Sequence, residues 1–230
     1  MIVPAESPGA GLTLVLEAST ASASVALLDG DTLRHRADVP MGVSREDALF
    51  PAIQAMLAAE GCTVRDLRAI VCGSGPGSFT SLRIAASLAK GLADAAAVPL
   101  YAVPSLLLAA ASWGAPGQYL VHSDALRGER YALRVSVDAA GMARAEGEVE
   151  RLHVDALATA ADGRVRLAVP GGAAVVPDQP VVPDAGRLMH VPEWRERGRV
   201  DLASWEPAYG RLAEAQVKWE AAHDRPLPTS

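Results

Sequence analysis

The stretch Gly73–Ser78, Gly-Ser-Gly-Pro-Gly-Ser, carries three glycines within five residues and opens into an alanine-rich run reaching Ala96. A glycine-rich turn that feeds a helix exposes backbone N–H groups, and such turns bind phosphate when the spacing is right. Neither established spacing is present. A G-x-x-x-x-G-K-[ST] loop counted from Gly73 meets Ser78, and from Gly75 meets Thr80, where glycine is required. The G-x-G-x-x-G fingerprint from Gly73 also meets Ser78 at its third glycine. A G-x-S-x-G elbow fails at Ser74, between Cys72 and Pro76, and at Ser78, between Pro76 and Thr80. Three readings stay open: a tight strand-to-helix turn, an anion contact through Gly75, Gly77 and Ser78, or direct contact with another protein.

The remaining reactive side chains form no cluster. Glu17 ends the first apolar run, where a carboxylate faces a metal-bound nucleotide or accepts hydrogen bonds from the next residues, Ser19 among them. Asp124 sits near Arg127 and Glu129. His35, His122, His153, His190 and His223 are never three or four apart, so no helix face carries two ligands. Cys62 and Cys72 make no disulfide framework, and Cys72, inside Leu-Arg-Ala-Ile-Val-Cys, reads as a small buried hydrophobe. No catalytic residue and no metal site is expected.

The totals exclude further classes. The net charge of −6 and pI near 5.4, with Arg and Lys scattered, offer no basic surface to neutralise phosphates. Aromatic residues, 4% of the chain, are too few for a base-stacking platform, so autonomous tRNA binding is not expected. Residues 1–11 lack the basic flank and apolar core of a signal peptide. No uncharged apolar stretch reaches the ~18–20 residues of a membrane span, and a cytoplasmic location without membrane contact is expected.

The elements that must position these residues read as an α/β pattern. Leu12–Thr20 is a buried strand, followed by a hairpin around Asp29-Gly30. A helix around Leu49, Ile53, Met56 and Leu57 is signalled by Ser44 as N-cap, Asp47 three residues on and Gly61 at its end. Pro51 inside that pattern implies a kink or a later start. A fourth strand runs into the glycine stretch, a helix spans about 78–96, and a short strand and apolar helix complete residues 12–115. The helix carries two apolar stripes, one through Phe79, Leu82, Ala86, Ala89 and Ala93, the other through Ile84, Leu88, Leu92 and Ala95. One stripe faces its own sheet; the other meets a partner or the next helix of the same chain. A smaller α/β lobe is expected over 116–222, with strands about Asp124 and a strand-then-glycine pattern at Val165–Val175. Residues 175–184 read as a Pro-rich loop, and 201–222 as a closing helix. Residues 1–11 and 223–230 read as flexible ends.

Five stretches, in order, resemble signature segments of the bacterial TsaB (YeaZ) family. They begin at Leu14 (Leu-Val-Leu-Glu-Ala-Ser-Thr), Gly73 (Gly-Ser-Gly-Pro-Gly-Ser-Phe-Thr, then Leu-Arg-Ile), Val103, Asp124 (Asp-Ala-Leu-Arg-Gly-Glu-Arg-Tyr) and Trp205. The resemblance implies a two-lobed actin/Hsp70-like ATPase fold (ASKHA) with a reduced second lobe. It implies a non-catalytic subunit needed to make threonylcarbamoyladenosine on tRNA. The partners implied are a TsaD-like transferase and a TsaE-like ATPase, with ATP and metal on those proteins and no cofactor here. It implies pairing, with that partner or a second copy, through Leu49, Phe50, Ile53, Met56, Leu57, Phe79, Leu82, Arg83, Ala86, Leu88 and Ala89. Glu17, Ser19, Gly75, Gly77 and Ser78 would be a vestigial nucleotide or anion loop. The chain departs from the family pattern at Glu17, where Asp is common, at Ser81 and Ala85, where glycine is usual, and at Arg45, where histidine is frequent. The rival reading is a stand-alone enzyme of the same fold, a metallopeptidase-like hydrolase or a small-molecule kinase.

Overall fold

The computed structural model describes residues 11–41, 48–171 and 178–209. Ser44, Arg45 and Asp47, residues 1–10 and the chain beyond Tyr209 lie outside the described residues.

Alternating burial builds the first sheet. In β1 (Leu12–Glu17), Leu14 and Leu16 point to one face and Val15 to the other, and both faces are covered. β1 pairs antiparallel with β2 (Ser22–Asp29), which turns through Gly30, at φ +61°, into antiparallel β3 (Thr32–Pro40). On its other side β1 pairs in parallel with β4 (Leu67–Gly73), and β4 in parallel with β5 (Leu100–Val103), giving the order β3-β2-β1-β4-β5.

Three helices flank this sheet. Helix α1 (Leu49–Ala59) starts late, as Pro51 allows: at the third helical position its missing N–H has no intrahelical acceptor to lose. Helix α2 (Phe79–Ala96) follows the glycine stretch and ends at Ala97 in the left-handed region. Both pack on one face, over Leu14, Leu16, Ile70 and Cys72. Helix α3 (Ser105–Trp113) covers the opposite face with an unbroken run of buried residues from Ser105 to Ala111.

The second sheet repeats the same plan. β6 (Gly117–Asp124) pairs antiparallel with β7 (Glu129–Val137), and β7 with β8 (Ala143–Ala145), while β9 (Glu150–His153) pairs with β7. β6 pairs in parallel with β10 (Val165–Ala168), and β10 with the two-residue β11 (Gln179–Pro180). The order β8-β7-β6-β10-β11 matches β3-β2-β1-β4-β5 strand for strand, in pairing sense as well as position. This duplication is the two-lobed ASKHA arrangement, and the second copy is reduced. Helix α4 (Leu157–Ala161) stands where α1 stands, but residues 169–178 leave no room for a counterpart of the 18-residue α2.

The layers are therefore α1 and α2, first sheet, α3, second sheet, α4. A single apolar core joins the two sheets, running from Val15, Val71 and Tyr101 through α3 to Val121, Leu133 and Trp194. After β11 the chain returns to the first sheet. Ala185 N–H donates to Ser24 Oγ at 2.9 Å, Arg36 Nε meets Asp184 Oδ1 at 2.8 Å, and Val200 N–H donates to Leu100 O at 2.9 Å. Residues 184–209 therefore reach the first sheet as well as the second, where Ala145 N–H donates to Glu193 Oε1 at 2.6 Å. Two local expectations are corrected. The Pro-rich segment at 175–184 contributes β11, and 201–209 form turns rather than helix, with the rest of that expected helix outside the described residues.

Candidate functional site: the glycine stretch and the outward face of its helix

Glu17 is 1% exposed, and both its carboxylate oxygens are occupied. Ser19 N–H donates to Oε1 at 2.7 Å and the Ser105 hydroxyl donates to Oε2 at 2.8 Å. Burial pushes the carboxyl above its ordinary pKa, against the opposing pull of the Ser19 and Ser105 hydrogen bonds. Ser105 Oγ in turn accepts Gly75 N–H at 3.1 Å, and Ser105 N–H donates to Gly75 O at 2.9 Å. One hydroxyl thus ties the end of β1, the glycine turn and the first residue of α3 into a single unit.

Two more donors of the turn are spent the same way. Ser74 N–H donates to Val103 O and Ser78 N–H to Ser19 O, each at 2.8 Å. Ala208 N–H closes on Ser74 O at 2.8 Å. The glycines are explained by closeness rather than by a ligand. A Cβ at Gly73 would overlap Glu17 Oε2, and one at Gly77 would overlap the Ser19 carbonyl. Gly75, at φ +85°, lies under Ala208 O. Of the three readings, the tight strand-to-helix turn accounts for each of these residues. Ser78 occupies the N-cap position of α2 without a side-chain cap bond, its Oγ lying 3.0 Å from Ser81 Oγ.

The helices leading from this turn divide their stripes in a definite way. Leu82 is 0% exposed, and Ala85, Ala86, Ala89, Leu92 and Ala93 are buried with it. In α1, Leu49, Ile53, Met56 and Leu57 are buried in the first sheet's core. Of the eleven residues read as partner-facing, Leu49, Ile53, Met56, Leu57, Leu82, Ala86 and Ala89 are thus already covered within the chain, so a foreign surface cannot reach them without unfolding it. Phe50 (44% exposed) and Arg83 are on the surface, and Phe79 and Leu88 are half-buried. Ser81 and Ala85 stand where the family pattern has glycine. Both are buried toward the chain's own sheet, so neither adds bulk on the outward side.

That outward side carries exposed Thr80, Arg83, Ser87, Gly91 and Asp94, with half-buried Ile84 and Leu88 at its margins, partly packed against the first-sheet core. Gly91 sits mid-helix with nothing of the described residues within 4 Å of where a Cβ would stand. At the N-terminal end, Phe79 packs on Tyr209 with ring centroids 4.8 Å apart, and the Arg83 guanidinium lies over Phe79 at 5.3 Å. Tyr209 and Gly91 are the residues that sequence reasoning missed. Gly91 left a signal, a glycine inside a helical pattern, whereas Tyr209 is 130 positions from Phe79 and left none.

The other candidates disperse. Asp124 pairs with Arg130 at 3.0 Å rather than with Arg127. His35 meets Glu60, His153 meets Asp155, and buried His122 shares Asp178 with Arg166. Among the described residues no three His, Cys, Asp or Glu side chains gather to hold a metal, and no helix is long and apolar enough to cross a membrane.

A protein-family model described as TsaD: tRNA N6-adenosine threonylcarbamoyltransferase matches residues 39–165. The Escherichia coli K12 protein named tRNA threonylcarbamoyladenosine biosynthesis protein TsaB is 34% identical over 122 residues, 51% of this chain and 52% of that protein. The Bacillus subtilis protein of the same name is 34% identical over 119 residues, again 51% and 52%. The chain's match spans about half the length of these curated relatives. The solved structure of YeaZ from Pseudomonas aeruginosa superposes with a TM-score of 0.71 at 24% identity, covering 86% of this chain and 99% of that one, a likeness of fold. With the family model matching more than half of its residues and curated relatives named TsaB 34% identical over 51% of it, the chain belongs to the TsaB/YeaZ family.

Proposed function

We propose that this chain is a non-catalytic subunit in the synthesis of threonylcarbamoyladenosine on tRNA. It acts by binding a TsaD-like transferase through the outward face of α1 and α2. The observation that carries this reading is Gly91. A glycine inside a helix costs about 1 kcal/mol relative to alanine, and no contact among the described residues accounts for it. Close approach of a second helix does account for it, and Ser87 one turn earlier, with Ala55, Ala58 and Ala59 exposed on α1, fits the same approach. Phe50, Leu88 and the Arg83–Phe79–Tyr209 stack supply the larger contacts such a surface needs around small residues.

In this reading the chain brings no cofactor of its own. Three donors of the turn, the Ser74, Gly75 and Ser78 amides, are bonded to Val103, Ser105 and Ser19, and the carboxylate at the end of β1 is bonded on both oxygens. ATP and metal belong to the partners, the TsaD-like transferase and a TsaE-like ATPase. A second copy of the chain occupies the same face when the transferase is absent. The test is co-purification with a TsaD-like protein, comparing wild type with Leu88→Arg. Loss of the complex by a variant with an unchanged thermal melt supports the reading, and an intact complex contradicts it.

A further inference from the structure

We propose that Glu17 is a positioning residue for the α1/α2 face, acting by reach rather than by charge. Glu17 touches nothing on the outward face. It holds Ser19 N–H with one oxygen and Ser105 Oγ with the other, and Ser105 carries the hold to Gly75 N–H. Ser78, the residue before α2, hangs from the Ser19 carbonyl at 2.8 Å, and Ala208, beside Tyr209, hangs from Ser74 O. The brace thus fixes both Ser19, from which the start of α2 hangs, and Gly75, next to the Ser74 carbonyl that holds Ala208 beside Tyr209. The site is shaped for the longer acid. Gly73 leaves the space that Oε2 fills, since a Cβ there would coincide with it. An aspartate, one methylene shorter, could accept from Ser19 N–H two residues on but could not also span to Ser105.

The inference rests on the reading of the α1/α2 face as a partner surface, and two substitutions separate its claims. Glu17→Gln keeps the reach and loses the charge: its amide oxygen accepts Ser19 N–H and its NH₂ donates to Ser105 Oγ. Glu17→Asp keeps the charge and loses the reach. A carboxylate that served a nucleotide or metal would tolerate Asp and fail as Gln. The brace predicts the reverse order. The measurements are hydrogen exchange at the Ser19 and Gly75 amides of the isolated chain, and affinity for the TsaD-like partner. Glu17→Asp and Ser105→Ala should speed exchange at Gly75 at least ten-fold and weaken the partner by a similar factor, while Glu17→Gln stays near wild type in both.

Unchanged exchange in Glu17→Asp and Ser105→Ala overturns the inference, as does Gln failing where Asp succeeds. Faster exchange with undiminished affinity, in a system where Leu88→Arg abolishes binding, overturns the positioning role and leaves the partner surface standing. Failure of wild type itself to bind, or binding by Leu88→Arg equal to wild type, overturns the partner reading on which the inference depends.

Discussion

Ser19 shows how tightly the glycine turn is fitted. Its carbonyl accepts Ser78 N–H and also fills the space a Cβ at Gly77 would need. Because the obstacle is backbone, it cannot swing aside, and Gly77→Ala should cost about 1–3 kcal/mol, read as a lower denaturant midpoint. Gly73→Ala meets the far end of a side chain instead, so its cost should shrink when Glu17 is shortened to Asp. His122 offers a second residue-level test. Burial pushes the imidazole below its ordinary pKa, outweighing the raising effect of Asp178 at 2.8 Å. The unfolded chain therefore binds the proton more readily, and stability should fall as pH drops below about 6.5. Glu17 works in the opposite sense: its raised value contributes stability present below its ordinary 4.5 and lost as pH rises through the folded value. The difference between wild type and His122→Asn isolates the histidine, and denaturation curves at pH 7.5 and 5.5 should show a smaller loss in the variant.

At the scale of the element, α2 explains why sequence periodicity stops short of a surface. Two apolar stripes were readable along residues 78–96, but periodicity does not say which one its own sheet covers. The structure turns Leu82, Ala86 and Ala89 inward, sets Ile84 and Leu88 half-buried at the margin of the same core, and leaves Gly91 exposed on the outer side. Leu82→Asp should then unfold the chain, placing an unpaired charge in the core at a cost of at least about 3 kcal/mol. Leu88→Arg should leave the fold intact. Gly91→Ala should stabilise the isolated chain by up to about 1 kcal/mol, as a glycine removed from a helix interior does. Gly91→Phe should preserve the monomer and obstruct a partner helix. Thermal melts beside binding measurements separate all four. The opening strands, α1 with Pro51 in its first turn, and α3 were legible because local pattern and turn chemistry agreed. β11 was not: two residues in a proline-rich run pair only because β10 lies beside them. The Glu17–Ser105 hold joins residues 88 positions apart and leaves no mark in either neighbourhood.

For the whole molecule, two copies of one sheet plan share a core, and the second copy lacks a counterpart of α2. That asymmetry leaves the outward helix pair to the first lobe alone. Residues 184–209 then cross back and fasten to the first sheet, ending beside the start of α2. This return was illegible from sequence because it is built from long-range contacts such as Ala185 to Ser24. It makes the first lobe, the glycine turn and Tyr209 one continuous surface. The most direct test of that surface is the mass of the mixture, by light scattering, of this chain with a TsaD-like transferase. The account predicts a one-to-one complex that Gly91→Phe abolishes while the melting temperature of the variant stays at the wild-type value. A complex formed equally well by the variant, or no complex with wild type, would contradict it.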